Sequence, residues 1–232
     1  MTLYQQKQIV LMRQMEDSLA KNTAASTIVT MQKDYVNDPQ LCLTCVSFLP
    51  KNTAETIQTQ LLTALATIEP AFYYYPVQSL HVTIQNIRVI NNPPHFSAAD
   101  IAKAQQLLLN FIPSYGPFVF EFSGILRLPT SLAIIALITP EYDRFIRAFR
   151  QALVAAGIPD DKKYFTDEII FANTTICRYT HEPSQEFFGE VEKRKQTSFD
   201  SMRAQEVSLI QTNAGAHPSK MKVLCTYPFR QI

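Results

Sequence analysis

The chain has 232 residues, 18% of them charged and 47% hydrophobic, with a formal net charge of +1. That length suits one large domain or two closely packed lobes, and the composition is that of a folded chain rather than a disordered one. The near-zero charge argues against a broad electrostatic nucleic-acid surface, while leaving room for a pocket that holds one phosphate.

Residues 1–38 read as an N-terminal helical extension. Leu11, Met15 and Leu19 recur every four residues, with Met12 beside them, which predicts one amphipathic helix. Such a stripe suits a partner-docking element or a helix that packs back onto its own domain. A polar stretch, Lys21–Ser26, follows, and Asn37-Asp38-Pro39 is a turn signal at the boundary with a main domain over 39–232. Leu41–Leu49 predicts a strand. Asn52 and Glu55 have capping-box spacing ahead of a helical stripe at Ile57, Leu61, Leu65 and Ile68. Phe72–Ile90 is strand-rich, and Ser97 with Asp100 opens a second helix. Phe118, Phe120 and Phe122 alternate as in a half-buried strand, and Leu132–Thr139 is a more continuously apolar one. Thr139, Pro140, Gly157 and Pro159 punctuate a third helix with Tyr142, Phe145, Phe149 and Leu153 on one face. Ile169–Arg178 is a strand, Ser184 starts a short helix, and Ala204–Thr212 with Met221–Tyr227 predict a closing hairpin. A strand-helix-strand unit thus occurs twice, near 41–90 and 132–178, which predicts an α+β fold of two lobes around a cleft.

Several site chemistries fall away. The five glycines, Gly116, Gly124, Gly157, Gly189 and Gly215, are not spaced for a Rossmann fingerprint or a P-loop. Cys42 and Cys45 form a C-x-x-C inside a strand, where residues three apart face opposite ways and cannot share a metal or a disulfide. His95, His181 and His217 sit in loops without metal-ligand spacing, so neither metal nor cofactor is expected. The apolar run Leu132–Ile138 is far too short to span a bilayer, and Ile9–Met12 followed by Arg13 lacks a signal-peptide layout. A cytoplasmic monomer without membrane contact is the expectation.

Two strand segments carry the chemistry. In Leu80-His81-Val82-Thr83-Ile84, His81 and Thr83 share one face, pairing a titratable imidazole with a hydroxyl. In Asn173-Thr174-Thr175-Ile176-Cys177-Arg178, Asn173 and Thr175 share a face at the matching place of the second unit. Arg178 should point to the opposite face in a regular strand, as a phosphate ligand or as half of a structural ion pair. Phe72-Tyr73-Tyr74-Tyr75 offers a ring for base stacking, Tyr75 nearest the motif, though core packing explains such runs more often. Lys193-Arg194-Lys195 reads as a solvated helix end.

Over residues 40–230 the chain resembles the 2H phosphoesterase superfamily of LigT-like, 2'-5' RNA ligase-like and cyclic phosphodiesterase proteins. Its hallmark is two His-x-Thr/Ser motifs, one per lobe, on strands central to a bilobal α+β fold with two antiparallel sheets lining a cleft. The first motif matches at His81-Val82-Thr83; the second reads Asn173-Thr174-Thr175, with Asn173 where the family has its other histidine. The resemblance implies that His81 is an acid/base group and that Thr83 and Thr175 bind phosphate oxygens; Arg178 and Tyr75 stand beside them as candidate substrate contacts. It implies a ligand with a 2',3'-cyclic phosphate, a 2'-5' linkage or a phosphorylated nucleotide or RNA end. Asn173 does not titrate near pH 7, and loss of one acid/base group costs about 10²- to 10⁴-fold. Two readings stay open: an enzyme of reduced activity, and a catalytically inactive binder of phosphate ends in the same cleft.

Overall fold

The computed structural model describes residues 1–21, 23 and 26–231; three positions of the polar stretch Lys21–Ser26 lie outside the described residues. Helix α1 (Leu3–Ala20) begins with a capping box in which Thr2 and Gln5 satisfy each other's backbone N–H groups. The first lobe follows as β1 (Leu41–Phe48), then α2 (Lys51–Ile57), a π-helical turn (Gln58–Leu62) and α3 (Thr63–Ile68). The capping box expected at Asn52 and Glu55 does not form. Pro50 is the N-cap, with no side-chain cap, and the chain turns helical directly after it. Next come β2 (Tyr73–Tyr74), β3 (His81–Asn91) and α4 (Ala98–Phe111), the last capped by Ser97 and Asp100 as expected.

The second lobe contains β4 (Phe118–Leu128), β5 (Ser131–Leu137), α5 (Pro140–Ala155), β6 (Ala172–Arg178), α6 (Gln185–Arg194) and β7 (Met202–Ala204). Gly157, at φ +70°, ends α5; the N–H of Ile158 reaches back to the carbonyl of Leu153, and that of Gly157 to Val154. The chain then returns to the first lobe as β8 (Glu206–Thr212) and β9 (Lys222–Pro228). The single strand expected over Ala204–Thr212 is therefore two. It breaks at Gln205, where the chain leaves one sheet for the other.

The sheets run β3-β1-β8-β9 and β2-β6-β5-β4-β7, and the strand pairs are antiparallel. Both expected strand-helix-strand units are present: β1 pairs with β3, and β5 with β6. One buried cluster joins Leu43, Val82 and Leu209 of the first sheet to Phe120, Ile134 and Ile176 of the second, with α5's predicted stripe of Tyr142, Phe145, Phe149 and Leu153 in it. The motif strands are central to the molecule but not to their sheets. β3 is an edge strand, and β6 has beyond it only the two-residue β2.

α1 packs back onto the second sheet. Met12, 1% exposed, meets Leu126, Ile135 and Leu137. Its buried residues are mostly polar, Gln5, Gln8 and Glu16 beside Met12 and Leu19, and Gln8 and Glu16 complete backbone hydrogen bonds. Gln8 donates to the Ile170 carbonyl and accepts from the Ile138 N–H, and Glu16 accepts from the Arg127 N–H. No helix among the described residues is long and apolar enough to cross a membrane.

Candidate active site

Leu80, just ahead of β3, and Val82 and Ile84 within it point into the core and leave His81 and Thr83 half-buried on the cleft face. The strand period alone produces this split. Nδ1 of His81 lies 2.7 Å from the Ser79 carbonyl. A carbonyl only accepts, so Nδ1 carries the proton and Nε2 keeps its lone pair. Enclosure in the cleft lowers the His81 pKa below 6.5, the nearby positive charge of Arg178 adds to this, and the bond to Ser79 opposes it. His81 is thus a neutral imidazole at neutral pH, the form that accepts a proton.

β6 presents Asn173 and Thr175 to the cleft while Ala172, Thr174 and Ile176 are buried. Arg178 departs from the regular-strand expectation. Leu132 faces Cys177 and Ala133 faces Thr175, so β6 carries one extra residue at this point. The bulge turns both Ile176 and Cys177 inward and restores Arg178 to the face of Thr175. Arg178 makes no ion pair with any described residue. Its Nε donates instead to the Tyr75 hydroxyl at 2.9 Å and to the Ala214 carbonyl at 2.6 Å. Neutral partners hold the guanidinium and leave its charge for a ligand.

Tyr75 does not serve as an open stacking face. It is 2% exposed, with its ring near Tyr73 and His81 and its hydroxyl bonded to the Ala214 carbonyl. Its place in the site is behind Arg178.

The cleft has two adjoining compartments, of about 240 and 140 Å³. Thr83, Thr175, Arg178 and Lys162 border both; Asn173 borders only the larger, and His81 only the smaller. These four side chains therefore occupy the junction, with the two motif positions on either side. Lys162 escaped the sequence reading, since it sits in an irregular loop with no periodicity. That loop is tied to the first lobe: Asp160 accepts from Gln85 and Asn86, and Asp161 from Asn86 and from the Val89 N–H. Lys162 is reached by solvent yet walled by the cleft, and this enclosure lowers its pKa, with Arg150 and Arg178 adding to the effect and Asp160 opposing it.

Cys42 and Cys45 are free and face apart, as the strand period requires. Cys42 borders the cleft, where burial pushes its thiol up to about 11, too high for a neutral-pH nucleophile. His181 bonds to Glu69 and Thr180, His217 to Ser219, and His95 is exposed; none borders either compartment. The Lys193–Lys195 cations pair with Glu190, Glu192 and Glu16. No group of three metal-ligating side chains exists among the described residues.

No family model and no curated protein matches the chain. Solved structures do match. A Thermus thermophilus protein aligns at 15% identity and TM-score 0.56, covering 82% of this chain and 98% of its own. Escherichia coli LigT, crystallised with 3'-AMP, aligns at 12% identity and TM-score 0.53, covering 83% and 99%. A conserved Agrobacterium tumefaciens protein of unknown function aligns at 15% identity and TM-score 0.57, covering 90% and 96%. The chain has the LigT-like 2H phosphoesterase fold: two antiparallel sheets with helices, built here around a cleft that brings together His81, Thr83, Thr175, Arg178 and Lys162.

Proposed function

We propose that the protein is a phosphoesterase-type hydrolase acting on 2',3'-cyclic phosphate or 2'-5' phosphodiester groups of nucleotides or RNA, with His81 as general base. The observation that carries this is His81: neutral, with Nδ1–H held by Ser79 and Nε2 free, beside Thr83, Thr175 and Arg178. Solved LigT structures containing 3'-AMP, ATP, NADP+ and phosphate support a nucleotide phosphate as the ligand. Thr83, Thr175 and Arg178 hold the phosphate oxygens. Nε2 of His81 takes a proton from water as its oxygen bonds to phosphorus. The bond from phosphorus to one ribose oxygen breaks, and that oxygen needs a proton. Asn173 cannot supply it. Lys162, an ammonium that borders both compartments at their junction, is assigned that proton transfer.

Asn173 itself favours a second reading, a binder of phosphate ends without turnover. Incubation with 2',3'-cyclic mononucleotides separates the two. Turnover lost in His81→Ala supports the enzyme; binding without turnover in the wild type, with turnover gained in Asn173→His, supports the binder. Turnover unchanged in His81→Ala overturns the role given to His81.

A further inference from the structure

The lining of the larger compartment is chemically mixed. Asn173, Thr175, Arg178 and Lys162 share it with an apolar set, Met15 and Leu19 of α1 together with Leu128 and Phe171 of the second lobe. These apolar residues lie on the same face of the second sheet as Asn173. Leu126, Ile135 and Leu137 continue that face outward, and Met12 covers them. Without α1 this would be an open apolar sheet surface. With it, the surface becomes a bounded cavity joined to the phosphate donors. Beyond α1 the chain crosses the cleft as an extended segment. The Thr27 N–H bonds to the Lys163 carbonyl, its hydroxyl accepts from the Lys163 N–H, and the Val29 carbonyl accepts from the Thr130 hydroxyl. Thr27 and Val29 thereby border both compartments.

We infer that the N-terminal segment builds a nucleobase compartment, and that the site accepts one terminal nucleoside rather than a continuing strand. The inference rests on the phosphate-binding reading above and adds the substrate class. The two compartments, about 240 and 140 Å³, together reach only the lower end of the roughly 300–1,000 Å³ usual for small-molecule sites. A flat ring with an apolar face fits between thioether, leucine and phenyl groups, and methionine sulfur makes favourable contact with aromatic rings. A ribose then spans the distance to the cations at the junction.

The test is calorimetric titration of the full chain with inorganic phosphate, adenosine 3'-monophosphate, and a short oligoribonucleotide with the same 3'-phosphorylated end. In the wild type the nucleotide should bind at least tenfold tighter than phosphate, and the oligonucleotide no tighter than the nucleotide. Met15→Trp, which fills the apolar part, should collapse the nucleotide's advantage to less than twofold. Leu128→Trp does the same from the opposite wall, so that a folding defect in one variant leaves the other decisive. A tenfold advantage surviving in a folded filling variant overturns the nucleobase compartment. Affinity rising with each added nucleotide overturns the one-nucleoside limit. If neither phosphate nor nucleotide binds the wild type, the phosphate reading falls and this inference with it.

Discussion

Asn173 and Lys162 border one compartment, and the proposed chemistry gives them a shared task, which a double-mutant cycle measures. Asn173 pairs with Ile135 across β5 and projects into the larger compartment, so an imidazole at this position enters open space and not a packed core. The stability cost of Asn173→His should stay within about 0.5 kcal/mol, as for substitutions away from packed sites. A positioned proton donor is worth about 10²- to 10⁴-fold in rate, and 10² corresponds to about 2.7 kcal/mol. If Lys162 protonates the leaving oxygen, Lys162→Met lowers kcat at least about 100-fold in the wild type. In the Asn173→His background the new imidazole takes over, and Lys162→Met costs less than about 10-fold. The coupling is then at least about 1.4 kcal/mol. The assay is hydrolysis of a 2',3'-cyclic mononucleotide, followed by chromatography at saturating substrate so that binding losses appear in KM. Equal penalties for Lys162→Met in both backgrounds would refute the donor role and leave Lys162 a phosphate contact.

The pH dependence follows from His81. A base whose pKa lies below 6.5 places the acidic limb of kcat/KM below that value, with a loss of about tenfold per pH unit below its own pKa, while deprotonation of Lys162 sets the alkaline limb; an acidic-limb inflection above 6.5 contradicts the assignment. The same shift acts on stability: the unfolded chain binds the proton more readily, so this contribution is complete above pH 6.5 and fades as pH falls through the folded value. Tyr75→Phe removes one of two acceptors for Arg178 Nε while keeping the ring, at a cost of about 1 kcal/mol, and should weaken orthophosphate binding about fivefold by calorimetry. Unchanged affinity would show that Tyr75 does not position the guanidinium. Gln8→Leu strands the buried Ile138 N–H and Ile170 carbonyl and should lower urea-unfolding stability by about 2–4 kcal/mol; a change under about 0.5 kcal/mol would mean that α1 adds little to the fold.

The residues alone determined most of the local structure and both motif faces. Alternation put His81 and Thr83 on one side of β3 and Asn173 and Thr175 on one side of β6, because side-chain direction in a strand depends only on local backbone geometry. Capping chemistry fixed the starts of α4 and α6 for the same reason. One failure was local and one was not. The Asn52–Glu55 spacing was overruled by the helix start at Pro50, two residues earlier, whereas the strand at Ala204–Thr212 was divided by a change of sheet that no periodicity records.

The cleft's charge and shape were decided only by the tertiary structure. A bulge at Ile176–Cys177, visible solely in the pairing with β5, returned Arg178 to the face of Thr175. Lys162 reached the same cleft from an irregular loop anchored by carboxylate bonds to β3, and no pattern marks such a loop. α1 was legible as a helix, but not as a wall of the cavity. Its buried face mixes Gln8 and Glu16 with Met12, and what those polar groups satisfy is the backbone of strands more than 100 residues away. Strand period and capping are properties of neighbours in sequence; a cavity belongs to surfaces that meet only after the chain has folded.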